Sequence, residues 1–260
     1  MKWCLSSRQA NSYLAKADEI KVQYRDRKVI YDLREKFKNA TIILVMPFDK
    51  ETVVNWQEIS TYNTYTEHNL ILCLTNIADA QKCKEENIRF YYGFPVTSFY
   101  ELNLLKKLGV CYVRLGGSLM FSLDKVKRVG IPVRAVPNIA NEIYWPGEDG
   151  VCGTWIRPEG VEYCEPYIDA MEFEDCDQEK EQALFRIYAE QKAWPGRVDM
   201  LISNITTDAL NRLIHPDFSL TRLTCGQKCQ EDHRCRYCYG CLDIAEEDVI
   251  RDLKESLEAE

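Results

Sequence analysis

Apolar residues in this chain gather into short runs separated by stretches of mixed polarity. KWCLS (2–6), EIKVQYR (19–25), TIILVMP (41–47), NLILCLT (69–75), RFYYGFP (89–95), CYVRLG (111–116) and PVRAVPN (132–138) are rich in β-branched and aromatic residues and recur about every twenty residues, which predicts strands. Between them, RKVIYDLREKFKN, IADAQKCKEEN, SFYELNLLKKLG and FSLDKVKRVG place apolar residues three or four apart, the period of an amphipathic helix. The last two end in Gly109 and Gly130, suited to a helix C-cap.

Strands apolar on nearly every residue are buried on both faces, the condition of a parallel sheet wrapped by helices. Further strand candidates follow at GTWIRP (153–158), DAMEFE (169–174) and DMLISN (199–204). The repeat predicts an α/β fold of the (β/α)8 type, a TIM-like barrel, over residues 1–204. An open doubly wound sheet is the rival, but it advertises a glycine-rich phosphate turn after its first strand, and CLSSRQ is not one. Asn138 to Gly153, with Pro146, Gly147 and Gly150, reads as a long loop over the C-terminal mouth, where barrel active sites are built.

After Asn204 the β-α pattern stops, and residues 205–260 are expected to form a cysteine-rich, metal-binding tail ending in an acidic helix. Cys225, Cys229, Cys235, Cys238 and Cys241 lie within seventeen residues, spaced C-x3-C-x5-C-x2-C-x2-C. Tight C-x2-C turns direct both sulfurs to one side, so five soft ligands at this spacing point to a metal or cluster. Cys235, Cys238 and Cys241 repeat the run that opens ferredoxin cluster loops, so Cys225 or Cys229 would complete a four-thiolate [4Fe-4S] site. Alternatively, two close pairs, Cys225 with Cys229 and Cys235 with Cys238, hold tetrahedral zinc and release Cys241. The other seven cysteines are scattered, several in apolar segments where the thiol acts as a small hydrophobe.

Composition narrows the setting. The chain is 260 residues long and 46% apolar, enough for a substantial core, and twelve cysteines in a chain of this size fit reduced thiols in a cytoplasm better than a secreted disulfide scaffold. No apolar run approaches the roughly 18 residues of a membrane span, so no membrane association is expected. A formal charge of −8 gives no general attraction to nucleic acid, and an RNA partner would need a local basic patch.

Polar residues that follow apolar strand cores are the candidates for a barrel-mouth site: Arg25 with Asp26, Asp49, Asn76, Arg114 with Gly116 and Gly117, Asn138, and Arg157 with Glu159. Arg114, Arg157 and Glu159 are the catalytic candidates. With only His68, His215 and His233 in the chain, none in a strand-end context, no Ser-His-Asp or Cys-His arrangement stands out. The aromatic run FYYGF (90–94) reads as barrel wall rather than a base-stacking platform.

WIRPEGVEYCEPYIDAMEFE (155–174) and LKKLGVCYVRLGG (105–117), with the C-terminal cysteine group, resemble segments of the collagenase-like peptidase family. The resemblance spans roughly residues 70–241 and implies a barrel of the kind found in iron-sulfur members that hydroxylate tRNA or ubiquinone precursors. It departs from that family in lacking a His-Gly pair and in having Arg114-Leu115-Gly116 where the family has an arginine-glutamate strand end. Two functions follow as expectations. One is a redox or hydroxylation enzyme acting on RNA or a small aromatic substrate. The other is a non-enzymatic scaffold with structural zinc, of viral or mobile-element origin, that engages a protein partner.

Overall fold

The structure is a computed structural model that describes residues 1–49, 51–116, 119, 122–139, 141–144, 151–154, 156, 158 and 161–191. The expected strand at 199–204, the boundary after 204 and the acidic terminal helix lie outside the described residues.

Strands β1 (Lys2–Ser6), β2 (Glu19–Gln23), β3 (Thr41–Val45), β4 (Leu70–Leu74), β5 (Arg89–Tyr92), β6 (Pro95–Val96), β7 (Val113–Leu115) and β8 (Val133–Ala135) fall where the apolar runs predict them. Two more, β9 (Asn141–Tyr144) and β10 (Val151–Thr154), form a separate antiparallel hairpin, and β11 (Ala170–Glu172) returns to the main sheet. The main sheet is all parallel, in the order β5-β4-β3-β2-β1-β11-β8-β7-β6.

Its two ends are one stretch of chain. β5 pairs with β4, and β6, two residues further on, pairs with β7. The Cys111 amide donates to the Phe90 carbonyl at 2.9 Å, and Gly116 donates to Val96 at 2.9 Å, so the stave touches β7 along both halves. Nine strands, two sharing a stave, make eight staves in a closed ring: the chain is a (β/α)8 barrel. The surplus of strand candidates resolves at residues 151–154. Asn138 to Gly153, expected as one long loop, instead carries the paired strands of this hairpin, and the candidate barrel strand at 153–158 starts inside its second arm, because a local turn suffices for antiparallel pairing while a further stave would need a crossover.

The connecting helices are α1 (Asn11–Leu14), α2 (Ile30–Lys36), α3 (Trp56–Tyr65), α4 (Asp79–Glu85), α5 (Phe99–Leu108), α6 (Leu123–Val129), α7 (Val161–Cys164) and α8 (Gln178–Glu190). Local chemistry sets their ends. At α5 the Ser98 side chain accepts from the Glu101 amide while Glu101 reaches back to the Ser98 amide, and the helix stops at Gly109 with φ 78°. Gly130, also at φ 78°, stops α6. Asn55 and Asp177 cap α3 and α8 by accepting from the amides three residues on.

Pleat alternation divides each strand between two cores. Leu5, Ile20, Val22, Ile42, Leu44, Leu72 and Leu74 face outward beneath the helices. There α8 closes the ring, with Phe185 edge-on to Trp3 at 5.4 Å and Tyr188 against Phe173 at 5.5 Å. Cys4, Ile43, Ile71, Cys73, Tyr91, Tyr112 and Ala170 form a second, smaller cluster facing the lumen.

Between β5 and β6 the backbone passes close to β4 at Gly93. A Cβ on Gly93 would lie 2.9 Å from the Cys73 sulfur, closer than side chains pack. Gly93→Ala is therefore expected to destabilise the barrel by about 1–3 kcal/mol, the range for overpacking, and Cys73→Ala in the same chain to restore most of that. Urea titrations of the three variants check it; equal losses in the single and double variants would place the strain elsewhere.

Candidate active site at the barrel mouth

In a barrel of parallel strands all C-terminal ends open on one face. The side chains that rise toward this face come from positions where a charge alternates with apolar neighbours: Glu19 and Lys21 in EIKVQ, Arg114 in VRL, Arg134 in VRA, Glu172 in AME and Glu174 just beyond. Three cations meet three carboxylates inside the ring.

The lowest layer is fully enclosed. Arg134 donates a short hydrogen bond to Glu19, and its other terminal nitrogen lies 3.5 Å from Glu172. The guanidinium sits between two rings, 4.9 Å from the centroid of Tyr91 and 4.6 Å from that of Tyr112. Tyr112 donates to Glu19 at 2.9 Å and accepts from Lys2 at 3.2 Å, which links the layer to the N-terminal face. Glu172 is surrounded by cations, with Lys21 at 3.5 Å and Arg114 Nε at 3.9 Å as well as Arg134. Burial alone would raise its carboxyl pKa, but Lys21, Arg134 and Arg114 together hold it well below the usual carboxylate range.

The upper layer meets the opening. Burial would lower the Lys21 pKa, yet Glu172 and Glu174 hold it above the ordinary lysine value, which favours the ammonium form. It donates to Glu172 at 3.5 Å and to the Phe173 carbonyl at 3.1 Å. Arg114 grips Glu174 in a two-pronged pair at 2.8 and 2.7 Å and donates a short hydrogen bond to the Gly93 carbonyl. Glu174 in turn is fixed by Asn138. The buried amide side chain accepts from the Glu174 amide at 3.1 Å and donates to its carbonyl at 2.6 Å, continuing the β8–β11 ladder past the strand ends.

Solvent access rises sharply through these layers. The side chains of Lys21 and Arg114 are 13% and 10% exposed, and that of Glu174 is 31% exposed. Beyond Gly93, Phe94 stands 44% exposed and packs edge-on at 5.3 Å against Phe48, which is 74% exposed on the loop after β3. The mouth thus presents two phenyl rings and one carboxylate, with its cations turned inward.

Of the residues singled out from sequence, the structure brings Arg114 and Asn138 to this mouth. Asn138 acts there as backbone support. Arg25 and Asp26 pair with each other at 3.7 Å on the surface, Asp49 accepts from the Thr52 amide at 2.6 Å, and the Asn76 side chain accepts from the Ala78 amide at 3.0 Å in the loop before α4. Gly117, Arg157, Glu159 and the five tail cysteines lie outside the described residues. Of the run FYYGF, Phe90, Tyr91 and Tyr92 are buried in the wall, and Phe94 belongs to the mouth. His68 hydrogen-bonds Asn63 at 3.1 Å just before β4, at the opposite end of the barrel.

Cys4, Cys73, Cys83, Cys111, Cys164 and Cys176 are free, and burial pushes the Cys73 thiol up to about 11 and the Cys83 and Cys164 thiols up to about 12, which suits packing groups better than nucleophiles. Among the described residues no three His, Cys, Asp or Glu side chains converge as a metal site, and no helix is long and apolar enough to cross a membrane.

No family model and no curated protein matches this sequence. Solved structures similar to it include a 4-hydroxy-2-oxoglutarate aldolase/2-deydro-3-deoxyphosphogluconate aldolase from TTHB1 at 13% identity and TM-score 0.42, covering 73% of this chain and 92% of that one. A structure described as native KDPGal has 10% identity and TM-score 0.46 over 74% and 94% of the two chains. A cube-shaped, highly porous protein cage designed by fusing symmetric oligomeric domains has 10% identity and TM-score 0.46 over 74% and 72%. The barrel assignment rests on strand order and register and not on these likenesses.

Proposed function

We propose that this chain is a metal-binding barrel enzyme of the redox or hydroxylation type, with a small ring-bearing substrate at the C-terminal mouth and a [4Fe-4S] cluster on the tail cysteines. The observation that carries the substrate side is the grouping of Lys21, Arg114, Glu172 and Glu174, which Arg114 ties to the Gly93 carbonyl next to the exposed Phe48–Phe94 pair. Charged groups held rigidly at strand ends, beside an apolar surface that excludes water, are the usual makings of a barrel active site. The resemblance to the collagenase-like peptidase family favours the same reading.

Each group has a part that its surroundings allow. Phe48 and Phe94 offer ring faces and edges to a planar substrate. Glu174, oriented by Arg114 and Asn138, is the accessible hydrogen-bond acceptor. Lys21 is the ammonium nearest the opening, and Glu172 keeps it charged. A small molecule suits this mouth better than RNA, because Lys21 and Arg114 are mostly buried and already paired with carboxylates, which leaves them little to offer a phosphate backbone.

The donor set suits a soft metal: Cys235, Cys238 and Cys241 with Cys225 or Cys229 would hold the cluster. Such a cluster supplies single electrons when bound. The second reading, a zinc scaffold, is favoured by the two close pairs Cys225/Cys229 and Cys235/Cys238, which leave Cys241 unused. The free thiols of the barrel fit a reducing compartment, the cytoplasm, under either reading.

Anaerobic purification with elemental analysis separates the two. The protein is expected to carry about four irons per chain with absorption at about 400 nm, and Cys241→Ser to lose most of both. A colourless protein with one zinc that Cys241→Ser retains would replace the cluster by the scaffold reading.

A further inference from the structure

We infer that the barrel mouth selects a ring compound carrying a positive charge, a protonated amine or nitrogen heterocycle, over one carrying a carboxylate or phosphate. This deepens the reading of the mouth as a small-molecule site and rests on it.

Four observations support the choice of charge. Both mouth cations already have carboxylate and carbonyl partners: Lys21 has Glu172 and the Phe173 carbonyl, and Arg114 has Glu174 and the Gly93 carbonyl. An anion entering the mouth would have to break a two-pronged pair and displace Glu174. Glu174 is the more exposed partner of that pair, and each of its oxygens accepts one hydrogen bond from Arg114, which leaves both with further acceptor capacity.

The aromatic pair adds the second half of the recognition. Arg114 Nη1 bonds both Glu174 and the carbonyl of Gly93, so a single guanidinium ties the carboxylate to the stretch of backbone that carries Phe94. Phe94 packs edge-on against Phe48, so its ring edge or face is left for a guest, and π faces attract cations and repel anions. A carboxylate at the same mouth as exposed phenyl rings suits an ammonium with an apolar body. Finally, the chain carries a formal charge of −8, whose field draws cations toward it.

The test uses the full chain at low ionic strength with three ring probes of one size: benzylammonium, benzyl alcohol and benzoate. Affinities are read by titration calorimetry and by ligand-observed NMR. Benzylammonium is expected to bind about tenfold tighter than benzoate, with the alcohol between. Phe48→Ala, at a solvent-exposed position that leaves the fold intact, should weaken benzylammonium by about three- to fivefold, the scale of an exposed cation–π contact. Glu174→Gln should narrow the gap between benzylammonium and the alcohol. If benzoate binds tightest and still weakens in Phe48→Ala, the charge preference is overturned while the mouth stands as a small-molecule site. If benzylammonium binds equally well to Phe48→Ala and the parent, its attraction is only to the acidic surface and the inference falls. If none of the three binds, the mouth reading itself falls with it.

Discussion

Arg134→Met is expected to lower the unfolding free energy by about 3–5 kcal/mol, the scale of removing one partner from a buried ion pair. The guanidinium is fully enclosed, and it alone bridges Glu19 in β2 to Glu172 in β11. Methionine fills much of the volume between Tyr91 and Tyr112 but leaves Glu19 with only Tyr112 and the half-exposed Lys2 as polar partners. The comparison that isolates burial is Arg114→Met. Its main partner, Glu174, is partly solvated and can rehydrate, so the loss there should be about 1–2 kcal/mol. Urea unfolding at neutral pH measures both. Equal losses, or a loss below about 1 kcal/mol for Arg134→Met, would mean that water relaxes the lower layer as easily as the upper one.

Acid should dismantle the same network in a defined window. The Glu172 carboxyl is lowered from 4.5 to about 2 by Lys21, Arg134 and Arg114, against the opposing effect of its burial. A carboxyl depressed by folding contributes its stability above the unfolded value and loses it as pH falls through the folded one. The loss attributable to Glu172 should therefore run from about pH 4.5 down to about pH 2 and total about 3 kcal/mol. Lys21 behaves in the opposite sense. Its folded value is raised, so its contribution is complete below the ordinary lysine value of 10.5 and is lost only at stronger alkalinity. Denaturant titrations from pH 7 to pH 2 should show a steep acid limb in the parent. In Glu172→Gln that limb should be shallower, from a lower plateau at neutral pH. An unchanged slope in Glu172→Gln would assign the acid sensitivity to other carboxylates.

The barrel was legible because its signal is repetitive: strands such as TIILV and LILCL are apolar on every residue, and only burial on both faces explains that. Elements whose burial is carried by unusual residues were not legible. Helix α3, WQEISTYNTY, buries Ile59, Tyr62 and Asn63 at helical spacing, but with one aliphatic residue among them the stripe is weakly apolar. Its start is marked only by Asn55, three residues before Glu58. At residues 151–154, composition alone does not distinguish a hairpin arm from a barrel stave, because both are short, β-compatible runs.

The site was half legible for a related reason. Arg114 stands at the end of an apolar strand and announces itself, while Lys21, Glu172 and Glu174 sit inside runs that read simply as strands. Their signal is the alternation in EIKVQ and AMEFE, where charges occupy one face and apolar residues the other. In a sheet buried on both sides, a charged face can only be the lumen, and that inference requires the closed ring to be recognised first. Phe48 and Phe94 carry no periodic signal, since they lie in loops and act through their mutual contact at 5.3 Å.

The lumen's charges also decide how the barrel can be divided. The first four staves supply Glu19 and Lys21, and every other member of the buried ring of charges, Arg114, Arg134, Glu172 and Glu174, comes from the remaining four. Glu19 and Lys21 each look across the midline for a counter-ion, to Arg134 and Glu172. A half-barrel made of the first four staves would expose its apolar edge, strip Lys21 of Glu172 and leave Glu19 only the half-exposed Lys2. The two halves are stitched electrostatically at the axis as well as by hydrogen bonds at the rim, so neither keeps its full set of counter-ions without the other.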